Sequence, residues 1–145
     1  MSNVRPHETM SSLSLRGSCL CRAVRYSVSA PIAFAENCHC SMCRKAHGSA
    51  FSTNAAVPAD SVEISGEEFL SEFASSKNRR KLFCSKCGSQ LFIKRTNAPE
   101  VMVITLGTLD HDPLVRPSRH VFVGSKAAWH EIDAKVPQHE IYPEP

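Results

Sequence analysis

Seven cysteines, grouped in three places, constrain this 145-residue chain more than any other feature. They stand at the following positions: Cys19 and Cys21, then Cys38, Cys40 and Cys43, then Cys84 and Cys87. An odd number of clustered cysteines argues against a disulfide framework and for metal binding. We therefore expect bound metal to contribute part of the folding free energy.

The first and last groups together predict one closed metal site. Gly88 follows Cys87, and a glycine there can adopt positive φ, which lets the turn direct backbone N–H groups at the sulfurs. Such a turn supplies two thiolates, Cys84 and Cys87, and the pair Cys19 and Cys21 completes a tetrahedron. A zinc site with four thiolates has no open position and is structural.

The middle group, Cys38, Cys40 and Cys43, offers three thiolates and therefore predicts an open zinc site, which is typical of catalysis. Three thiolates make zinc a poor Lewis acid toward water, so a substrate thiol suits the fourth position and favours sulfur chemistry. His47 or a distant histidine is an alternative fourth ligand, whereas His39 should point away. Free thiols and an iron–sulfur cluster are further alternatives.

The hydrophobic pattern predicts a mainly β domain of short strands with one or two helical turns. We predict strands within 13–28, 50–57, 61–64, 69–74, 80–83, 90–94, 101–106 and 120–123. Ser41 and Gly48 are start and stop signals for a helix over 41–47. We expect a flexible tail at 1–12, a zinc domain at 13–137 and an extended arm at 138–145.

Charge and hydropathy argue against nucleic-acid and membrane partners. The net charge is only +3 with scattered basic residues, and we interpret the run 79–81 as a solvated strand or turn edge. The longest apolar stretch, 101–106, is far below the roughly 18 residues of a membrane span. The first residues do not resemble a signal peptide, so we predict a cytoplasmic protein with reduced thiols.

Four segments carry a resemblance to a known family. They are 17–26 (GSCLCRAVRY), 38–51 (CHCSMCRKAHGSAF), 83–92 (FCSKCGSQLF) and 116–129 (RPSRHVFVGSKAAW). Over about 13–137 the chain resembles the glutathione-dependent formaldehyde-activating enzymes, a family that includes centromere protein V. The resemblance implies an Mss4-like fold of short coiled antiparallel sheets braced by two zinc ions, with the same structural and catalytic division of cysteines.

The resemblance also implies an activity that joins glutathione and formaldehyde into S-hydroxymethylglutathione, formally the reverse of a carbon–sulfur lyase step. We predict that a thiol such as glutathione binds at the three-cysteine zinc and attacks a small aldehyde. His47 and His120 are candidate acids for the alkoxide, although either is equally compatible with a packing or surface role.

Three further residues are candidates for substrate binding. Arg116 and Arg119 could bind carboxylates of the thiol, with a solvated loop as the alternative. Trp129 could line the pocket, with a core position as the alternative. Two other functions stay open, namely a glutathione carrier without catalysis and a zinc-stabilised binding module. The sequence does not fix the second substrate or the oligomeric state.

Overall fold

Short strands make up most of the regular structure in the computed structural model, which describes residues 14–133 and 135–143. The strands are β1 (Leu15–Ser18), β2 (Arg25–Val28), β3 (Ala35–Cys38), β4 (Ser52–Pro58), β5 (Val62–Ser65), β6 (Leu70–Ser76), β7 (Arg79–Cys84), β8 (Gln90–Arg95), β9 (Val101–Thr105) and β10 (Pro117–Val121). Helix α1 spans Ser41–His47, and 3₁₀ turns span Ala59–Ser61, Glu67–Phe69, Leu106–Thr108 and Val123–Ser125. The predicted mainly β class is confirmed.

The strands form two sheets. A three-stranded sheet has the order β1-β2-β5, and a seven-stranded sheet has the order β10-β3-β4-β9-β8-β7-β6. Neighbouring strands are antiparallel except β3 and β10, which are parallel. This parallel pair is an addition to the antiparallel sheets that the resemblance implies. A parallel pair needs a long crossover connection, and here most of the larger sheet lies between β3 and β10 in the chain.

Helix α1 begins and ends at the predicted residues. The sulfur of Cys40, its N-cap residue, accepts a hydrogen bond from the backbone N–H of Cys43 at 3.3 Å. Gly48 ends the helix with φ of 58°, a conformation in which glycine avoids the steric penalty of a side chain. A helix of seven residues is marginal alone, so its stability depends on packing that also buries Cys43.

The hydrophobic core lies between the two sheets. Phe92 on β8 and Ile104 on β9 are fully buried and pair in register, and the ring of Tyr26 from β2 meets Phe92 edge-on at 4.8 Å between centroids. Alternation along the strands turns the neighbouring residues, such as Ile93, to the opposite face of the large sheet. That second face carries the candidate site.

The C-terminal segment runs alongside β10. The His120 backbone N–H donates to the Pro137 carbonyl at 2.8 Å, and the His139 N–H donates to the His120 carbonyl at 2.9 Å. The predicted tail at 1–12 and the last two residues of the predicted arm lie outside the described residues, so the domain boundaries stay predictions. Within 14–133 and 135–143, no helix is long and apolar enough to cross a membrane.

Candidate metal centres and ligand cleft

Four sulfurs from distant parts of the chain converge in a group that we call the four-cysteine cluster. Its members are Cys19, Cys21, Cys84 and Cys87, and their sulfurs all lie within 4.8 Å of one another. The sulfur of Cys21 is 3.6 Å from that of Cys19 and 3.7 Å from that of Cys84. A tetrahedron with zinc–sulfur bonds of about 2.3 Å has edges of about 3.8 Å. The cluster therefore fits one tetrahedral metal ion.

Backbone N–H groups support the ionised form of this cluster. The Val24 N–H donates to the Cys19 sulfur at 3.3 Å, and the Lys86 N–H donates to the Cys84 sulfur at 3.4 Å. A hydrogen bond from the Ser89 hydroxyl lowers the pKa of Cys87 to about 5, because donors stabilise a thiolate. The cluster links the β1–β2 turn to the end of β7, so a bound ion would join the two sheets.

The three-cysteine cluster, Cys38, Cys40 and Cys43, assembles where β3 meets α1. All three sulfurs lie within 4.8 Å of one another. Hydrogen bonds from the Cys38 and Cys43 thiols lower the pKa of Cys40 to about 2, with help from backbone N–H groups at the start of α1. The pKa of Cys38 is raised because its proton is shared with Cys40. Such crowded sulfurs ionise together only around a cation, so the cluster fits a thiophilic metal ion.

No histidine joins this cluster among the residues that the structure describes. The Nε2 atom of His39 lies 2.9 Å from Nδ1 of His120 in a fully buried contact. His47 lines a separate, smaller cavity together with Phe51 and Thr108. The described side chains therefore bring three sulfur ligands to this site.

A cleft of about 520 Å³ opens beside the three-cysteine cluster, within the size range of small-molecule sites. All three cysteines of the cluster line it. Other lining residues come from strands of the large sheet, the β6–β7 turn and the C-terminal segment: Glu36, Asn54, Lys77, Asn78, Arg79, Lys81, Ile93, Arg95, Val103, Phe122 and Tyr142. The cleft is therefore lined by basic residues, which we call the basic wall (Lys77, Arg79, Lys81 and Arg95), and by the three cysteines.

Sequence reasoning missed this basic wall. The interpretation of 79–81 as a solvated edge is wrong for Lys81, which is only 7% exposed. Strand alternation places Arg79 and Lys81 on the cleft face, while the guanidinium of Arg80 donates to carbonyls of the β6–β7 turn. The available signal was the period of two along β7, which separates Arg80 from its neighbours.

Two of the predicted site residues lie near the cleft without lining it. His120 is buried on the opposite face of the sheet, where its ring centroid is 5.0 Å from that of His39. Arg119 donates from Nε to the Glu36 carboxylate at 2.7 Å, and its guanidinium lies over the Tyr142 ring at 5.2 Å. Arg119 therefore contacts two cleft-lining residues, Glu36 and Tyr142.

Two other predicted site residues are on the surface. Arg116 forms an ion pair with Asp112 at 2.8 Å in an exposed loop. Trp129 is 73% exposed and packs beside His130. Like His47, His120 and Arg119, they are not among the cleft-lining residues, and the catalytic or binding roles of all five stay predictions.

Comparison with known proteins gives consistent matches. The sequence model of the family described as "Glutathione-dependent formaldehyde-activating enzyme" matches residues 14–125. A Halomonas elongata protein, whose name assigns that activity provisionally, is 33% identical over 129 residues, covering 83% of this chain and 82% of its own length. An uncharacterized lyase of Schizosaccharomyces pombe is 32% identical over 81 residues, or 56% of this chain and 58% of that protein.

A crystal structure of a Rhodobacter sphaeroides protein supports the fold alone. It superposes with a TM-score of 0.57 at 24% identity, covering 67% of this chain and 89% of the other. The family match extends over well more than half of the chain and includes both cysteine clusters. This chain therefore belongs to the glutathione-dependent formaldehyde-activating enzyme family.

Proposed function

We propose that this protein catalyses the reversible addition of a thiol to a small aldehyde, with glutathione and formaldehyde as the pair that the family description names. In the reverse direction the reaction is that of a carbon–sulfur lyase. The observation that carries this proposal is the convergence of three cysteine sulfurs on the wall of a ligand-sized cleft. A thiol that enters the cleft reaches the metal ligands directly.

We further propose zinc as the metal at both clusters. The four-cysteine cluster would hold a structural ion, because it already supplies four thiolates. The three-cysteine cluster would hold the catalytic ion, which would bind the sulfur of the substrate and lower the pKa of its thiol. Seven reduced cysteines suit a reducing compartment, so we propose a cytoplasmic location.

The reaction creates charge that the cleft must stabilise. As the carbon–sulfur bond forms, the carbonyl π electrons move to the aldehyde oxygen, which becomes an alkoxide and takes up a proton. Lys81 lines the cleft, and its positive charge acts on the Cys43 thiol. No hydrogen bond or ion pair to another described residue occupies its ammonium group. We assign Lys81 to stabilise the alkoxide and to deliver the proton.

A Lys81→Met variant should keep both metal ions but lose about 10²-fold in kcat, because a neutral side chain of similar length cannot stabilise the alkoxide. Steady-state rates with saturating glutathione and formaldehyde measure this loss, and metal analysis checks the two sites. Lys94→Met is the matched control, since Lys94 is exposed on the opposite side of β8. Wild-type kcat in a fully metallated Lys81→Met protein would remove Lys81 from the mechanism.

One rate measurement distinguishes an enzyme from a glutathione carrier that does not catalyse the reaction. At equilibrium, two-dimensional exchange NMR reports how fast glutathione and its hydroxymethyl adduct interconvert. We expect the zinc-loaded protein to accelerate this exchange by on the order of 10⁴-fold over glutathione and formaldehyde alone at equal concentrations. The same protein after chelator treatment is the control. Saturable glutathione binding without faster exchange would establish a carrier and refute the enzyme.

A further inference from the structure

Two arginines face each other across adjacent strands on the cleft wall. Arg79 on β7 and Arg95 on β8 are directly opposite in register, and both line the cleft. Side chains that are directly opposite on one face have Cβ atoms about 5 Å apart, and like charges in this position are destabilising. The sheet therefore holds two positive charges together at a free-energy cost that another group must offset.

Neither arginine has a protein counter-ion in the described part of the chain. The salt bridges found there use Arg116 and Arg119 instead. The Nε atom of Arg95 is buried and has no hydrogen-bond partner, although a buried donor is normally satisfied. Burial, followed by the charge of Arg95, lowers the pKa of Arg79. A bound anion would satisfy the buried donor and relieve the repulsion at once.

The position of the pair defines what kind of anion would fit. Lys81 and Cys43 line the same cleft, and Arg79 lies two residues from Lys81 on the same face of β7, about 7 Å along the strand. If one ligand places its sulfur at the three-cysteine cluster and its anionic group between the two arginines, several covalent bonds of that ligand must separate the two groups. Paired guanidinium groups suit planar, bidentate anions such as carboxylates.

We propose that Arg79 and Arg95 form a carboxylate clamp, which selects thiols that carry a carboxylate remote from the sulfur. This inference rests on the proposed function of the three-cysteine cluster as the thiol site. It makes Arg79 and Arg95 specificity-determining residues, which disfavour neutral thiols and compact thiols in which sulfur and carboxylate lie close together.

Calorimetric binding without aldehyde tests the clamp, because no reaction can then occur. The probes are glutathione and its diethyl ester, which share the thiol but differ in their carboxylates. Hydrogen bonds to charged groups lead us to expect that the zinc-loaded protein binds the acid about 30-fold more tightly than the ester. Arg79→Gln and Arg95→Gln should each reduce this ratio about tenfold, while the affinity for the ester changes less than twofold.

Two further variants sharpen this test. Lys94→Gln removes an exposed positive charge from the other face of β8 and should leave the ratio unchanged. Arg95→Lys keeps the charge but loses the bidentate geometry, so it should give an intermediate ratio. The affinity for the ester reports correct folding in every variant, because it does not depend on the clamp.

Several results would overturn the clamp. They are equal affinity for acid and ester in the wild type, a ratio that persists in both glutamine variants, and an equal loss in Lys94→Gln. Competition by inorganic phosphate at concentrations where acetate has no effect would assign the arginines to a phosphate instead. Faster adduct exchange with acid and ester alike would support the proposed function while refuting the clamp. Tighter binding of the acid than of the ester, without faster exchange, would support the clamp while refuting the proposed function.

Discussion

Cys84→Ser is expected to abolish cooperative folding at 25 °C. Cys84 is fully buried at the end of β7, and its sulfur contributes one corner of the four-cysteine cluster. Metal binding at structural zinc sites supplies about 10–16 kcal/mol, which matches or exceeds the 5–15 kcal/mol net stability of an ordinary domain. A hydroxyl in place of the thiolate removes most of that contribution. The other three cysteines of the cluster are then left without a bound metal ion.

Urea denaturation followed by circular dichroism measures this effect, and metal analysis should show that the structural ion is lost. The matched control is the same substitution in the other cluster, Cys40→Ser, which should keep a cooperative transition. The link between the two sheets explains the difference, since only the four-cysteine cluster joins the β1–β2 turn to β7. A Cys84→Ser protein with the wild-type urea midpoint would show that the cluster does not stabilise the fold.

Local chemistry in the sequence predicts much of this architecture. The start signal at Ser41 and the stop signal at Gly48 predict the observed limits of α1, although the sulfur of Cys40 and not Ser41 caps the helix. Helix limits are predictable because capping depends on neighbouring residues only. The partition of cysteines into groups of four and three follows from ligand counting, and the structure brings together the same two groups. The number and spacing of the cysteines are enough to predict the metal sites, because a zinc site requires a fixed number of ligands.

Long-range placement is what the sequence does not specify. The parallel pairing of β3 with β10 joins segments that lie about 80 residues apart in the chain, and no local periodicity encodes it. The basic wall was missed for the same reason. Whether Lys81 faces solvent or a cleft depends on Tyr142 and the β6–β7 turn, which contribute to the same cavity from elsewhere in the chain.

Cys40→Ser is expected to keep the fold but reduce adduct formation by on the order of 10³-fold. A serine hydroxyl can still cap α1, because it accepts a hydrogen bond from the Cys43 N–H as the sulfur does. It is a poor ligand for a thiophilic ion, however. Loss of about 4 kcal/mol of metal-dependent stabilisation corresponds to a rate factor of about 10³.

The two cysteine clusters make this result decisive when metal content and exchange rate are measured on the same sample. We expect one zinc ion per chain in Cys40→Ser, against two in the wild type and in Ser41→Ala, an exposed neighbouring control. One ion with a normal exchange rate would move the chemistry away from the three-cysteine cluster, whereas two ions with no activity would give Cys40 a role beyond metal binding. Because α1 remains capped in either case, lost activity reports on the sulfur of Cys40 and not on the helix that carries it.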